Sequence, residues 1–112
     1  MQLRDGRVVE FRDEPDVAFY KNDKIQAAVE IKGGIDTAGV LERVGAAIKS
    51  LRRARAENRR ATTILILHGV SMTERARRDL DINREAVNHW FSIEDILEDK
   101  SQCDEVFRLL SI

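Results

Sequence analysis

Residues 14–34 read EPDVAFYKNDKIQAAVEIKGG. Two extended runs flank Asn22-Asp23, a pair whose side chains suit a tight turn. Asp16-Val17-Ala18-Phe19-Tyr20 alternates, and Ile25 to Lys32 forms a longer strand closed by Gly33-Gly34. Alternation places Ile25, Ala27, Val29 and Ile31 on one face, taken as the core side. Gln26, Ala28, Glu30 and Lys32 fall on the other, taken as polar. A two-residue loop at Asn22-Asp23 sets Lys21 opposite Lys24 and Asp16 opposite Val29. Asp16 would then enter the core without a partner, which is costly. One further residue sets Asp16 opposite Glu30, Val17 opposite Val29 and Phe19 opposite Ala27. That register collects the apolar residues on one face and both acids on the other, and a slip of one residue undoes it. The pattern therefore predicts an odd-length turn or a bulge between Tyr20 and Gln26.

Outward from this hairpin the chain continues as α/β. Arg7 to Phe11 is a short strand after the turn signal Asp5-Gly6. A long helix follows Gly34, with Asp36 or Thr37 as its cap. Val40, Leu41, Val44, Ala47, Ile48 and Leu51 recur at helical spacing, and the pattern fades near Asn58. Thr62 to Leu67 is an apolar, β-branched run and predicts a central strand buried on both faces. Met72 to Asp81 reads as helix, Ala86 to Phe91 as strand, and Ile93 to Leu110 as one or two short helices. The order predicts a mixed sheet flanked by helices, its third and fourth strands joined by a helical crossover.

With 112 residues, positions 1–112 make one domain. A hydrophobic share of 43% excludes a disordered tail. No run approaches the ~18 apolar residues of a membrane span, and the first residues lack a signal peptide's apolar stretch. The lone Cys103 rules out an intrachain disulfide and fits a reducing, cytoplasmic setting. The net charge of −1 argues at first against a nucleic-acid partner, but it hides a distribution. Residues 1–72 hold 13 basic and 10 acidic residues, whereas residues 73–112 hold 6 and 10. Lys49, Arg52, Arg53, Arg55, Arg59 and Arg60 face only Glu57 within their segment. They suit either a solvated helix end or contact with phosphates.

Asp16 and Glu30 on one face are hard oxygen ligands suited to Mg²⁺. Lys32, on the same face, can orient or help deprotonate an attacking water. Repulsion between the two carboxylates should raise the pKa of one of them unless a cation is present. His68 closes the buried strand and reads as a hydrogen-bonded structural residue.

Pro15-Asp16, thirteen residues, then Glu30-Ile31-Lys32 resembles the PD-(D/E)XK nuclease signature. The longer match, from Glu14 through Asp36 and on to Ala46, resembles the XcyI-type type II restriction endonucleases. It continues through Thr62–Leu67 and Asn88-His89-Trp90-Phe91. The resemblance implies a restriction-endonuclease-like core and Mg²⁺-dependent cleavage of double-stranded DNA by a homodimer. It implies Asp16, Glu30 and the Ile31 carbonyl as metal ligands and Lys32 as the residue positioning the water. Glu14 and Glu42 are expected as supporting acids around the site. Two departures stand out. The helix that usually opens this core is missing, and such enzymes are much longer, so the chain is expected to be a fragment or a minimal homologue. A repair or junction-cleaving nuclease of the same fold, and a non-catalytic nucleic-acid-binding module, are the other readings.

Overall fold

A computed structural model describes all 112 residues, Met1–Ile112. Ten elements follow in order: β1 (Val8–Phe11), β2 (Val17–Lys21), β3 (Lys24–Lys32), α1 (Val40–Glu57), β4 (Thr62–Leu67), a 3₁₀ turn (Gly69–Ser71), α2 (Glu74–Ile82), β5 (His89–Ser92), α3 (Ile93–Glu98) and α4 (Lys100–Leu109). The five strands form one sheet in sequence order. β1, β2 and β3 are antiparallel, and β3, β4 and β5 are parallel. The predicted mixed α/β sheet is the one found. No helix is long and apolar enough to cross a membrane.

The hairpin between β2 and β3 keeps its two-residue turn and adds a bulge. Asn22 and Asp23 both take positive φ, 53° and 63°, and Lys21 pairs with Lys24. That combination is the turn whose twist matches a hairpin's. Tyr20 then pairs with Ile25 but Phe19 with Ala27, which leaves Gln26 as the extra, exposed residue. Val17 therefore meets Val29, the register expected from the positions of the two acids.

The bulge also corrects the assignment of faces. Beyond Gln26 the side-chain parity reverses, so Ile25 joins Ala18 and Ala28 in one apolar cluster while Ala27 and Val29 join Val9 and Phe19 in another. The face expected to be polar is covered. α1 packs Val40, Val44, Ala47, Ile48, Leu51 and Ala54 over it, with Ala76 and Leu80 of α2 alongside. Val106 and Leu110, from α4 and its end, cover the opposite face. Both faces are core because crossover helices must bury an apolar stripe on a parallel sheet. Leu65 and Ile64 are buried on opposite faces, so β4 is covered on both sides as its apolar run predicts, although β3 rather than β4 is the middle strand.

Ile31, expected in the core, is 48% exposed. The β2–β3 ladder stops two residues earlier, at Val17–Val29, so Ile31 has a strand neighbour only in Ile66 of β4. Gly39, not Asp36 or Thr37, occupies the N-cap position of α1. Asp36 still accepts from the Gly39 N–H (3.0 Å) and pairs with Arg43 (3.1 Å), so it shapes the approach to the helix rather than capping it. α2 starts after Thr73, whose hydroxyl caps the Ala76 N–H, and not at Met72. β5 begins at His89 rather than Ala86. Ala86 and Val87 are held in a turn on the Asn83 carbonyl, and Thr63 and Asn88 trade side-chain hydrogen bonds with each other's backbone N–H instead of pairing as a ladder. No helix precedes β1.

Candidate active site

β3 carries Glu30 under α1. The residue is 1% exposed, and its Oε2 has no hydrogen-bond partner. The only other buried side-chain polar atom without a partner is Ser50 Oγ of α1, and it neighbours the same carboxyl. Ser50 lies three residues after Ala47 and four before Ala54, so helical spacing brings it to the margin of the apolar stripe. A serine at that margin is the signal in the sequence that marks this position.

Asp16 arrives from the residue just before β2. Its Oδ2 accepts the backbone N–H of Ile31 at 2.6 Å. This bond satisfies a β3 N–H beyond the last β2–β3 pair, with a carboxylate oxygen accepting where a strand carbonyl otherwise would. It also brings the Asp16 carboxylate beside Glu30. Within a strand, one residue's N–H and C=O point to the same side, so the Ile31 carbonyl faces the side that Asp16 occupies. Lys32 follows on Glu30's face of the strand and is half-buried.

Burial, and then the hydrogen-bonding proximity and charge of Asp16, push the Glu30 carboxyl up to about 7, while Ser50 and Lys32 act in the opposite direction. The expected effect of paired carboxylates is therefore present, with desolvation as its larger cause. Two carboxylates and a main-chain carbonyl converge, and no third His, Cys, Asp or Glu joins them. The donors are all hard oxygens. Mg²⁺ is commonly held by one or two carboxylates, with waters and substrate phosphates completing its shell. The orphaned Glu30 Oε2 beside a second carboxylate fits such a cation.

The remaining candidates divide. Glu14 lies at the margin, paired with Arg53 of α1 at 3.4 Å. Both line a small cavity of about 110 Å³ together with Ser50, Pro15 and Tyr20. Glu42 is exposed in the first turn of α1 and makes no hydrogen bond or ion pair, so it does not join the group. The basic residues do not form one surface. Lys49 and Arg53, four apart, share one side of α1. Arg52 and Arg55 turn towards Glu85, and with Lys24, Arg59 and Arg60 they line a separate depression.

His68 lies beyond Leu67, with side-chain parity opposite to Glu30's partner Leu65. Its Nδ1 is 2.8 Å from Glu94 Oε1, and Glu94 Oε2 accepts the Gly69 N–H, also at 2.8 Å. These bonds hold the Glu94 carboxyl down to about 2. His68 is thus part of a clamp between the end of β4 and α3, the structural role expected of it. A scan of protein-family models, a search of curated proteins and a search of solved structures each return no match to this chain.

Proposed function

We propose that this chain is a Mg²⁺-dependent endodeoxyribonuclease built on a restriction-endonuclease-like core, hydrolysing phosphodiester bonds of double-stranded DNA as a homodimer in the cytoplasm. The observation that carries this reading is the pairing of a buried Glu30 carboxyl, its Oε2 without a hydrogen-bond partner, with an Asp16 carboxylate pinned to the next residue of the same strand. An unsatisfied buried carboxyl is costly and rarely kept without a task. Asp16, Glu30 and the Ile31 carbonyl would hold the ion, which when bound supplies charge stabilisation to phosphoryl oxygens and a more acidic water. Lys32 holds an ammonium on the same face of β3, placed to orient a water or steady a non-bridging phosphate oxygen. The Ile31 N–H keeps Asp16 in one orientation, so that less ordering remains when the ion enters. Arg53, paired only with Glu14, stands at the margin as a phosphate contact.

Supercoiled plasmid incubated with the protein and Mg²⁺ or Mn²⁺ tests the proposal. Cleavage by the wild type, at least about 100-fold reduced in Glu30→Gln and Lys32→Ala, is the expected result. Intact plasmid in every metal, with salt-dependent binding retained, would instead make the chain a nucleic-acid-binding module.

A further inference from the structure

The far end of α1 carries a concave surface unrelated to the carboxylates. It is an open depression of about 820 Å³ lined by Lys24, Arg52, Arg55, Arg59, Arg60 and Glu85, together with Ala56 and Asn58. Five of these residues are basic, one is acidic and only Ala56 is apolar. Lys24 and Glu30 stand at opposite ends of β3, six residues or roughly 20 Å apart.

Two of its cations are already committed and fixed in place. Arg52 Nη2 donates to Asn83 Oδ1 (2.7 Å) and Glu85 Oε1 (2.8 Å). Arg55 donates to the carbonyls of Glu85 (2.9 Å) and Ala61 (2.8 Å). The turn beneath them is anchored as well. Asn58 Nδ2 donates to the Ile25 carbonyl at 2.7 Å, and Asn58 Oδ1 accepts the Arg60 N–H at 3.0 Å. Lys24, Arg59 and Arg60 have no acidic partner anywhere in the chain. Their charges thus line one depression beside an anchored turn and are open to an anion from outside the chain.

We infer that this depression is a docking surface for the phosphate backbone of a nucleic acid, acting apart from the carboxylate site. The opening is much larger than one phosphate and is lined by three uncommitted cations, which suits successive phosphates of a polymer. Guanidinium groups match phosphate oxygens in bidentate geometry. A membrane surface is disfavoured because the lining offers no apolar side chain to insert beyond Ala56. The choice of nucleic acid over an acidic protein rests on the nuclease reading; the presence of an anion site does not.

Fluorescence anisotropy with a labelled 20-base-pair duplex, in EDTA so that no cleavage intervenes, tests the surface. The triple variant Lys24→Ala/Arg59→Ala/Arg60→Ala should bind at least about tenfold more weakly at low salt, and its log–log salt dependence should be shallower by about 2–3, near 0.9 per lost phosphate contact. Its circular dichroism melt should match the wild type's, since all three side chains are exposed. Glu42→Gln, at an exposed carboxylate outside both sites, should bind as the wild type does, and since the assay needs no turnover its outcome is separate from any failure of cleavage. Unchanged binding by the triple variant would overturn the inference. So would loss confined to Lys49→Ala/Arg53→Ala, or polyglutamate competing as well as DNA does.

Discussion

The Ile31 N–H donates to Asp16 Oδ2 at 2.6 Å, so the residue proposed to lend its carbonyl to a cation also orients one of the two carboxylates. The two partners are fifteen residues apart and meet only because β2 ends at Val17 while β3 runs on to Lys32. An asparagine at position 16 can still accept that N–H, but an alanine cannot. Asp16→Asn should therefore lose metal binding with little change in stability. Asp16→Ala should lose metal binding and, in addition, roughly 1–3 kcal/mol. Urea denaturation beside Mn²⁺ titration separates the two effects, and equal stabilities for both variants would remove the positioning role.

Glu30 titrates near 7 in the folded chain, against an ordinary value of 4.5. Between those values the native state binds more protons than the unfolded one. Stability must then fall as pH rises through that window. In EDTA the wild type should lose stability between pH 5 and pH 8 relative to Glu30→Gln. Adding Mg²⁺ at pH 8 should raise the melting temperature of the wild type and leave Glu30→Gln unmoved. Parallel pH profiles for the two proteins would contradict the placement of this carboxyl.

Gln26 is the residue without a partner in the hairpin. Its deletion would leave Tyr20 opposite Ile25 and Phe19 opposite Ala27, turning the bulge into a regular ladder that still sets Asp16 opposite Glu30. The deletion variant should therefore keep its Mn²⁺ binding. Loss of binding in a folded deletion variant would show that the bulge itself, beyond the register, brings the carboxylates together.

Asn22 and Asp23 both occupy left-handed backbone, φ 53° and 63°. Glycine takes this conformation at the second turn position more easily than aspartate. Asp23→Gly is expected to raise stability by several tenths of a kcal/mol, read as a higher denaturation midpoint with an unchanged slope. A lower midpoint would mean that the Asp23 side chain supports the turn.

Glu94 is held down to about 2 by the Gly69 N–H and His68. Its contribution is therefore complete above its ordinary value of 4.5 and is lost as pH falls towards 2. The wild-type melting temperature should drop more steeply than that of Glu94→Gln on acidification across this range. Superimposable acid limbs would mean that the clamp between β4 and α3 adds no stability.

Much of the architecture was legible because it depends on short-range pattern. Alternation marked β2 and β3, the apolar run marked β4, and the stripe from Val40 to Leu51 marked α1. The demand that both acids share one face even required an irregular hairpin, and the Gln26 bulge supplies it. The element starts were less legible. Gly39 rather than Thr37 opens α1, and β5 starts after Asn88 because Thr63, twenty-five residues earlier, takes over its hydrogen bonds.

The sequence by itself determined which residues alternate, which recur at helical spacing, and that Asp16 and Glu30 must share a face. These follow from backbone periodicity, a property of neighbours along the chain. Only the tertiary structure decided that this shared face lies under α1. Burial there strips water from Glu30, raises its pKa and sets it against Ser50. Helical periodicity turns Arg52 and Arg53 to different sides of α1, but only the tertiary structure set Arg52 and Arg55 against Glu85. Desolvation and the facing of side chains depend on what packs across from a residue, and no local pattern in the chain records that.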